Sequence, residues 1–113
     1  MVSIEKARHI ALSFPETEEH PHFDRKAFRV KKKTFATLLE KDKTMNLKLS
    51  LADQSVFCVF DSKIIYPVPG GWGRMGYSTV NLSKVKMAMF IDAITSAYCN
   101  AAPKKWAEKY FRG

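Results

Sequence analysis

Apolar positions along this chain change their period several times, and each change marks an element. From Ser3 to Ser13 they recur every three to four residues, with Ile4, Ala7, Ala11 and Phe14 on one face, the spacing of an amphipathic helix. Ser3 is placed to cap its start, Glu5 suits the positive end of its dipole, and Pro15 stops it. Pro15 to Glu19 reads as an acidic loop. Between His20 and Leu49 the period is two: Phe28 and Val30 alternate with Arg29 and Lys31, and Met45, Leu47 and Leu49 with Thr44, Asn46 and Lys48. Thr34 to Glu40 is a strand between them, with Phe35, Thr37 and Leu39 predicted on one face and Ala36 and Leu38 on the other. Lys31–Lys33 and Lys41–Lys43 are the polar turns, so the segment is an antiparallel meander.

Helical spacing returns at Leu51 to Phe60, capped by Ser50. Strands follow at Ile64–Val68 and Tyr77–Leu82, joined by the glycine-rich Pro67–Gly76 loop. A long helix is predicted from Lys84 to Asn100, with Ser83 or Asn81 as cap and Met87, Phe90, Ile91, Ile94, Ala97 and Tyr98 as its apolar stripe. A short helix from Pro103 to Tyr110 closes the chain. There is no internal repeat, low-complexity tract or linker, so residues 1–113 are expected to form a single domain. The element order predicts an α+β fold: an antiparallel sheet of about five to six strands with helices packed on one face.

Composition narrows the classes. With 46% hydrophobic and 27% charged residues the chain is ordinary globular material. No apolar run approaches the roughly 20 residues of a membrane span, and the N-terminus lacks a signal peptide's apolar stretch. Cys58 and Cys99 are far apart and outside any CxxC pair, which suits two reduced thiols and a cytoplasmic protein. Charge adds more. The formal net charge is +8, and residues 25–48 hold nine of the nineteen Lys and Arg. That block points to an anionic partner, with nucleic acid foremost, or simply to solubility.

The motifs also have a familiar order. Ser13-Phe14-Pro15-Glu16 is followed by His20-Pro21-His22-Phe23, Phe28-Arg29-Val30, Lys33-Thr34-Phe35-Ala36, Leu47-Lys48, Tyr66-Pro67, Trp72-Gly73-Arg74-Met75-Gly76-Tyr77, Val80-Asn81-Leu82 and Ser96-Ala97-Tyr98. This series resembles the YjbR/MmcQ-like family of small bacterial proteins over nearly the whole chain. One departure is Gly76-Tyr77, where the family commonly has Gly-Trp. The resemblance implies a CyaY-like fold, described at family level as carrying a double-wing DNA-binding motif, and implies no catalytic residue set. A frataxin-type fold also raises iron binding, but that needs a dense acidic ridge on the first helix, which here has only Glu5.

The candidate nucleic-acid-binding residues are therefore Arg25, Lys26, Arg29, Lys31, Lys32, Lys33, Lys43 and Lys48 of the meander, with Trp72 and Arg74 of the glycine-rich loop. Alternation sets Arg29 and Lys48 opposite the apolar face. The two lysine turns must lie at opposite ends of the central strand, about 23 Å apart. Lysines so placed would hold phosphates without reading bases; they would equally guard an exposed sheet against edge pairing. Trp72 either stacks on a base, as a wing-like loop would allow, or folds back over the sheet as an apolar plug.

His20, His22 and Asp24 alternate as metal ligands could, but Pro21 and Arg25 argue against a metal site, and no cofactor is expected. Trp106, Tyr110 and Phe111 read as packing or as a partner patch. No GxSxG, HExxH or paired-acid frame is present. The reading is a non-enzymatic protein that binds nucleic acid, DNA ahead of RNA, with little sequence specificity. The alternatives are a module for an acidic protein partner and a small-ligand binder.

Overall fold

The computed structural model describes residues 1–110, and six of its segments pair into one antiparallel sheet. The chain runs α1 (Ile4–Ser13), β1 (Thr17–His22), β2 (Arg25–Val30), β3 (Lys33–Leu39), β4 (Thr44–Lys48), α2 (Leu51–Cys58), β5 (Ile65–Pro67), α3 (Gly71–Arg74), β6 (Tyr77–Asn81), α4 (Met87–Ala101) and α5 (Lys104–Ala107). In space the strands lie in the order β1-β2-β3-β4-β6-β5. The α+β architecture and strand number are those the sequence predicts.

Local chemistry explains the helix starts. Ser3 Oγ accepts from the Lys6 amide at 3.1 Å and Ser50 Oγ from the Asp53 amide at 3.1 Å, each satisfying one orphan N–H. The long helix begins later than predicted, at Met87. Asn81 is the reason: its side chain accepts from the Ser83 amide and its carbonyl from Lys84 and Val85, closing a turn before the helix can start.

Alternation sorts the sheet into two faces. Phe28, Leu38, Met45, Leu47 and Val80 are fully buried beneath α1 and α4, whose Ala7, Ala11, Phe90, Ile94 and Tyr98 complete the core. Each large side chain so buried contributes about 1.5–3 kcal/mol. Phe14 stacks on Tyr98 at 4.6 Å between centroids, and Phe35 meets both edge-on at 6.2 and 5.7 Å. Tyr110 closes this cluster, so it is packing; Phe111 lies outside the described residues. The Tyr98 hydroxyl donates to the Pro15 carbonyl at 2.9 Å, tying α4 to the end of α1. Burial, with Tyr110, Cys99 and Glu16 adding to it, pushes the phenol's pKa up to about 12, so it stays a donor at neutral pH. Tyr98→Phe is expected to cost about 1 kcal/mol and to lower Tm by roughly 4–8 °C, measured by thermal unfolding. An unchanged Tm would show that this tie carries no stability.

Two predictions of local structure are corrected. The segment expected as an acidic loop is largely strand: Thr17–His22 pairs with β2 in the register Glu18↔Arg29 and His20↔Ala27. It is an edge strand with polar residues on both faces, so it leaves no alternation to read, and Pro21 is tolerated there because an edge N–H is dispensable. Second, the β2–β3 register slips by one residue between Phe28 and Arg29. The extra residue turns Phe35 onto the core side with Ala36 and Leu38, so the predicted alternation through β3 fails at the bulge.

Candidate nucleic-acid interface

The sheet's other face carries no long helix. By strand alternation and register it presents Glu18, His20 and His22 from β1, Arg25, Ala27 and Arg29 from β2, Thr37 from β3, Asn46 and Lys48 from β4, and Tyr77 and Thr79 from β6. Short side chains in the middle and long ones around them make this face concave. Ala27, Thr34, Thr37 and Asn46 line a cavity of about 390 Å³, rimmed by His22, Arg25, Trp72 and Tyr77. Among the described residues no carboxylate lines it.

Trp72 reaches this rim because the glycine-rich loop is not open chain. Gly71–Arg74 forms one helical turn, and the loop is pinned at both ends by glycines that could carry no side chain: a Cβ on Gly73 would strike the Val68 carbonyl, and one on Gly76 the Leu49 carbonyl. Trp72 meets Tyr77 edge-to-face at 5.3 Å and remains 62% exposed. The plug reading is therefore corrected: the indole leans on the sheet's margin without being buried. Arg74, on the same turn, is exposed.

The basic residues separate into three groups. Lys31, Lys32 and Lys33 are exposed at the β2–β3 hairpin. There Lys31 lies over the Trp106 ring at 5.0 Å and Lys105 over the same ring at 5.6 Å, so the hairpin and α5 meet through cation–π contacts at one indole. Lys33, Thr34, Lys48 and Tyr77 line a hollow beside the main cavity, and Thr34 and Tyr77 line both. Lys48 donates to the Met75 carbonyl at 2.7 Å and lies over Tyr77. Among the described residues none of these lysines makes an ion pair.

The second group, Arg25 and Arg29, lies on the concave face itself. Arg25 Nη1 is buried without a hydrogen-bond partner among the described residues. Arg29 Nη2 approaches His20 Nε2 at 2.7 Å and Glu18 at 3.4 Å, while His20 Nε2 also lies 2.9 Å from Glu18. One ring nitrogen cannot serve both: without a hydrogen, Nε2 accepts from Arg29; with one, in the neutral Nε2–H tautomer or the imidazolium, it donates to Glu18. The hydrogen bond with His20, aided by the charges of His20 and Arg29 and opposed by partial desolvation, holds the Glu18 carboxyl below its ordinary pKa.

The third group leaves the site. Lys26 pairs in register with Leu38, on the core side, and bridges Glu40 at 3.4 Å; it does not join the concave face. Lys43 sits at the far hairpin in a left-handed conformation, beside Lys41, which pairs with Asp24 at 3.8 Å. Lys26 and Lys43 are thus not brought together with Lys31–Lys33: alternation and strand length part them. Conversely Lys104 and Lys105, absent from the candidate set, begin the helix that the contacts at Trp106 bring to the hairpin. Their only sequence signal is the basic excess of the last thirty residues.

Among the described residues no three His, Cys, Asp or Glu side chains are grouped to hold a metal ion, and no helix is long and apolar enough to cross a membrane. Comparison with known proteins fits the geometry. The YjbR family model matches residues 12–100, which span all six strands of the sheet, α2, α3 and all but the last residue of α4. The chain belongs to the YjbR family. A crystal structure of a Deinococcus radiodurans protein, described by the family-model domain DUF419, superposes with a TM-score of 0.77 at 16% identity. The match covers 99% of this chain and 83% of that one, and at such identity it speaks for the YjbR fold alone. No curated protein matches in sequence.

Proposed function

We propose that this YjbR-family domain is a cytoplasmic, non-enzymatic nucleic-acid-binding protein, taking phosphates on the lysine-rich end of the sheet and on its concave face. The observation that carries the reading is the junction of two features. A cavity lined by no carboxylate among the described residues, with an exposed tryptophan at its rim, opens beside lysines that make no ion pair among those residues. Lysine and arginine so placed attract the phosphate backbone by releasing its counterions. The hairpin and the Trp72 loop would stand on either side of the bound chain as two wings. Both thiols are pushed up in pKa by burial, with Asp53 adding to the effect at Cys99, so neither is poised as a nucleophile.

Fluorescence anisotropy with labelled oligonucleotides across a salt series tests the proposal. About five neutralised phosphates give a slope of log K on log salt near −4.5 for duplex, or near −3.5 for a single strand. Failure to bind either at low salt would overturn it and direct the search to an acidic protein partner.

A further inference from the structure

Resting on that reading, we infer that the cavity on the concave sheet face takes one unpaired nucleotide, its base against Trp72, so that the domain selects single-stranded over duplex nucleic acid. Shape is the first argument. The floor of the cavity, at Ala27, Thr37 and Asn46, is recessed behind the longer side chains Arg25, His22 and Trp72. A base in a duplex is stacked and paired and cannot be laid on such a floor, whereas an unpaired base can swing in. The volume of about 390 Å³ falls in the range of small-ligand sites.

The chemistry of the lining agrees. In a T-shaped pair one ring uses its edge and the other one face, so at least one face of Trp72 stays open in its contact with Tyr77. An exposed indole face is a stacking platform that accepts any base. Asn46 Oδ1 accepts from the Thr79 hydroxyl at 2.7 Å, which leaves its amide NH2 to donate. Thr37 adds a hydroxyl, and Arg25 a guanidinium whose Nη1 has no protein partner among the described residues. Donors gathered beside an aromatic face, with no carboxylate, match the carbonyl and ring-nitrogen acceptors of a base and the phosphate that follows it. A strand is favoured over a free nucleotide because the charge continues beyond the cavity: Lys33 and Lys48 line the adjoining hollow, and Lys31 and Lys105 meet at Trp106 beyond.

The experiment compares a 12-residue single-stranded DNA, the corresponding RNA, the 12-base-pair duplex and a free mononucleotide, at one salt concentration, against the full chain and Trp72→Ala. The single strands are expected to bind at least about tenfold tighter than the duplex. Trp72→Ala should lower single-strand affinity by about tenfold or more and duplex affinity by much less, and Trp72→Phe should restore part of the loss. Trp72→Leu, which keeps apolar bulk without a full aromatic face, should behave as alanine does. Equal binding of strand and duplex, insensitive to all three variants, would overturn the inference and leave the electrostatic reading standing. A mononucleotide that binds as tightly as the oligonucleotide would overturn the strand as ligand. Absence of binding to any probe removes both readings together.

Discussion

Reversing Lys31, Lys32 and Lys33 to glutamate is expected to weaken nucleic-acid binding by about fiftyfold on a single strand to about a hundred-and-seventyfold on duplex at 0.15 M salt. The figure follows from counterion release: three phosphate contacts account for about 2.7 units of salt slope on duplex or 2.1 on a single strand, and 0.15 M raised to those powers gives the loss. The slope itself should flatten by the same amount. All three side chains are exposed, so stability should move little, because surface substitutions away from special features stay within about 0.5 kcal/mol. Lys31 is the partial exception, since it covers Trp106. Thermal unfolding is measured beside anisotropy for that reason. A folded variant with unchanged affinity would remove the hairpin from the interface.

Gly76→Ala is expected to be the most damaging small substitution in the chain, costing about 3 kcal/mol or more. Gly76 has φ +105°, and its Cβ would run into the Leu49 carbonyl. Both neighbours are backbone, and the Leu49 amide donates to the Gly76 carbonyl at 3.1 Å, so relief requires parting the Trp72 loop from the end of β4. Against a total stability of about 5–15 kcal/mol this is a large fraction, read as a lower urea midpoint with an unchanged slope. Gly71→Ala is the control, because a Cβ there meets nothing within 4 Å and its φ is ordinary. If the two variants unfold together, the close approach at Gly76 has no energetic weight.

How much of this was legible beforehand depended on whether the information was local. Period-two alternation was enough to place Arg29 and Lys48 on the polar face, and strand length alone parted Lys43 from Lys31–Lys33. The edge strand β1 was illegible because neither of its faces is apolar. The bulge that turns Phe35 inward is a matter of pairing between strands, and no property of Thr34–Leu39 by itself reveals it. Lys26 entered the candidate set as a member of the basic block, although its parity with Phe28 puts it on the core side. Lys104 and Lys105 were missed because their relation to the hairpin runs through the tertiary stacking of Trp106. The concavity was also hidden. It comes from Ala27, Thr37 and Asn46 lying on neighbouring strands in register, which no linear reading places side by side.

Lys31 and Lys32 both adopt positive φ, 49° and 66°, at the tip of a hairpin where Asn-Gly would sit without strain. Each lysine there gives up about 1 kcal/mol of backbone comfort. The tightest part of the lysine-rich end is therefore a compromise, in which conformational ease is exchanged for two exposed cations, one of them laid over Trp106. A sequence selected for thermal endurance alone would drift toward Asn-Gly at this tip. Such a drift would calm the backbone and discharge the surface in one step, which makes the tip a point where durability and attraction to polyanions are opposed.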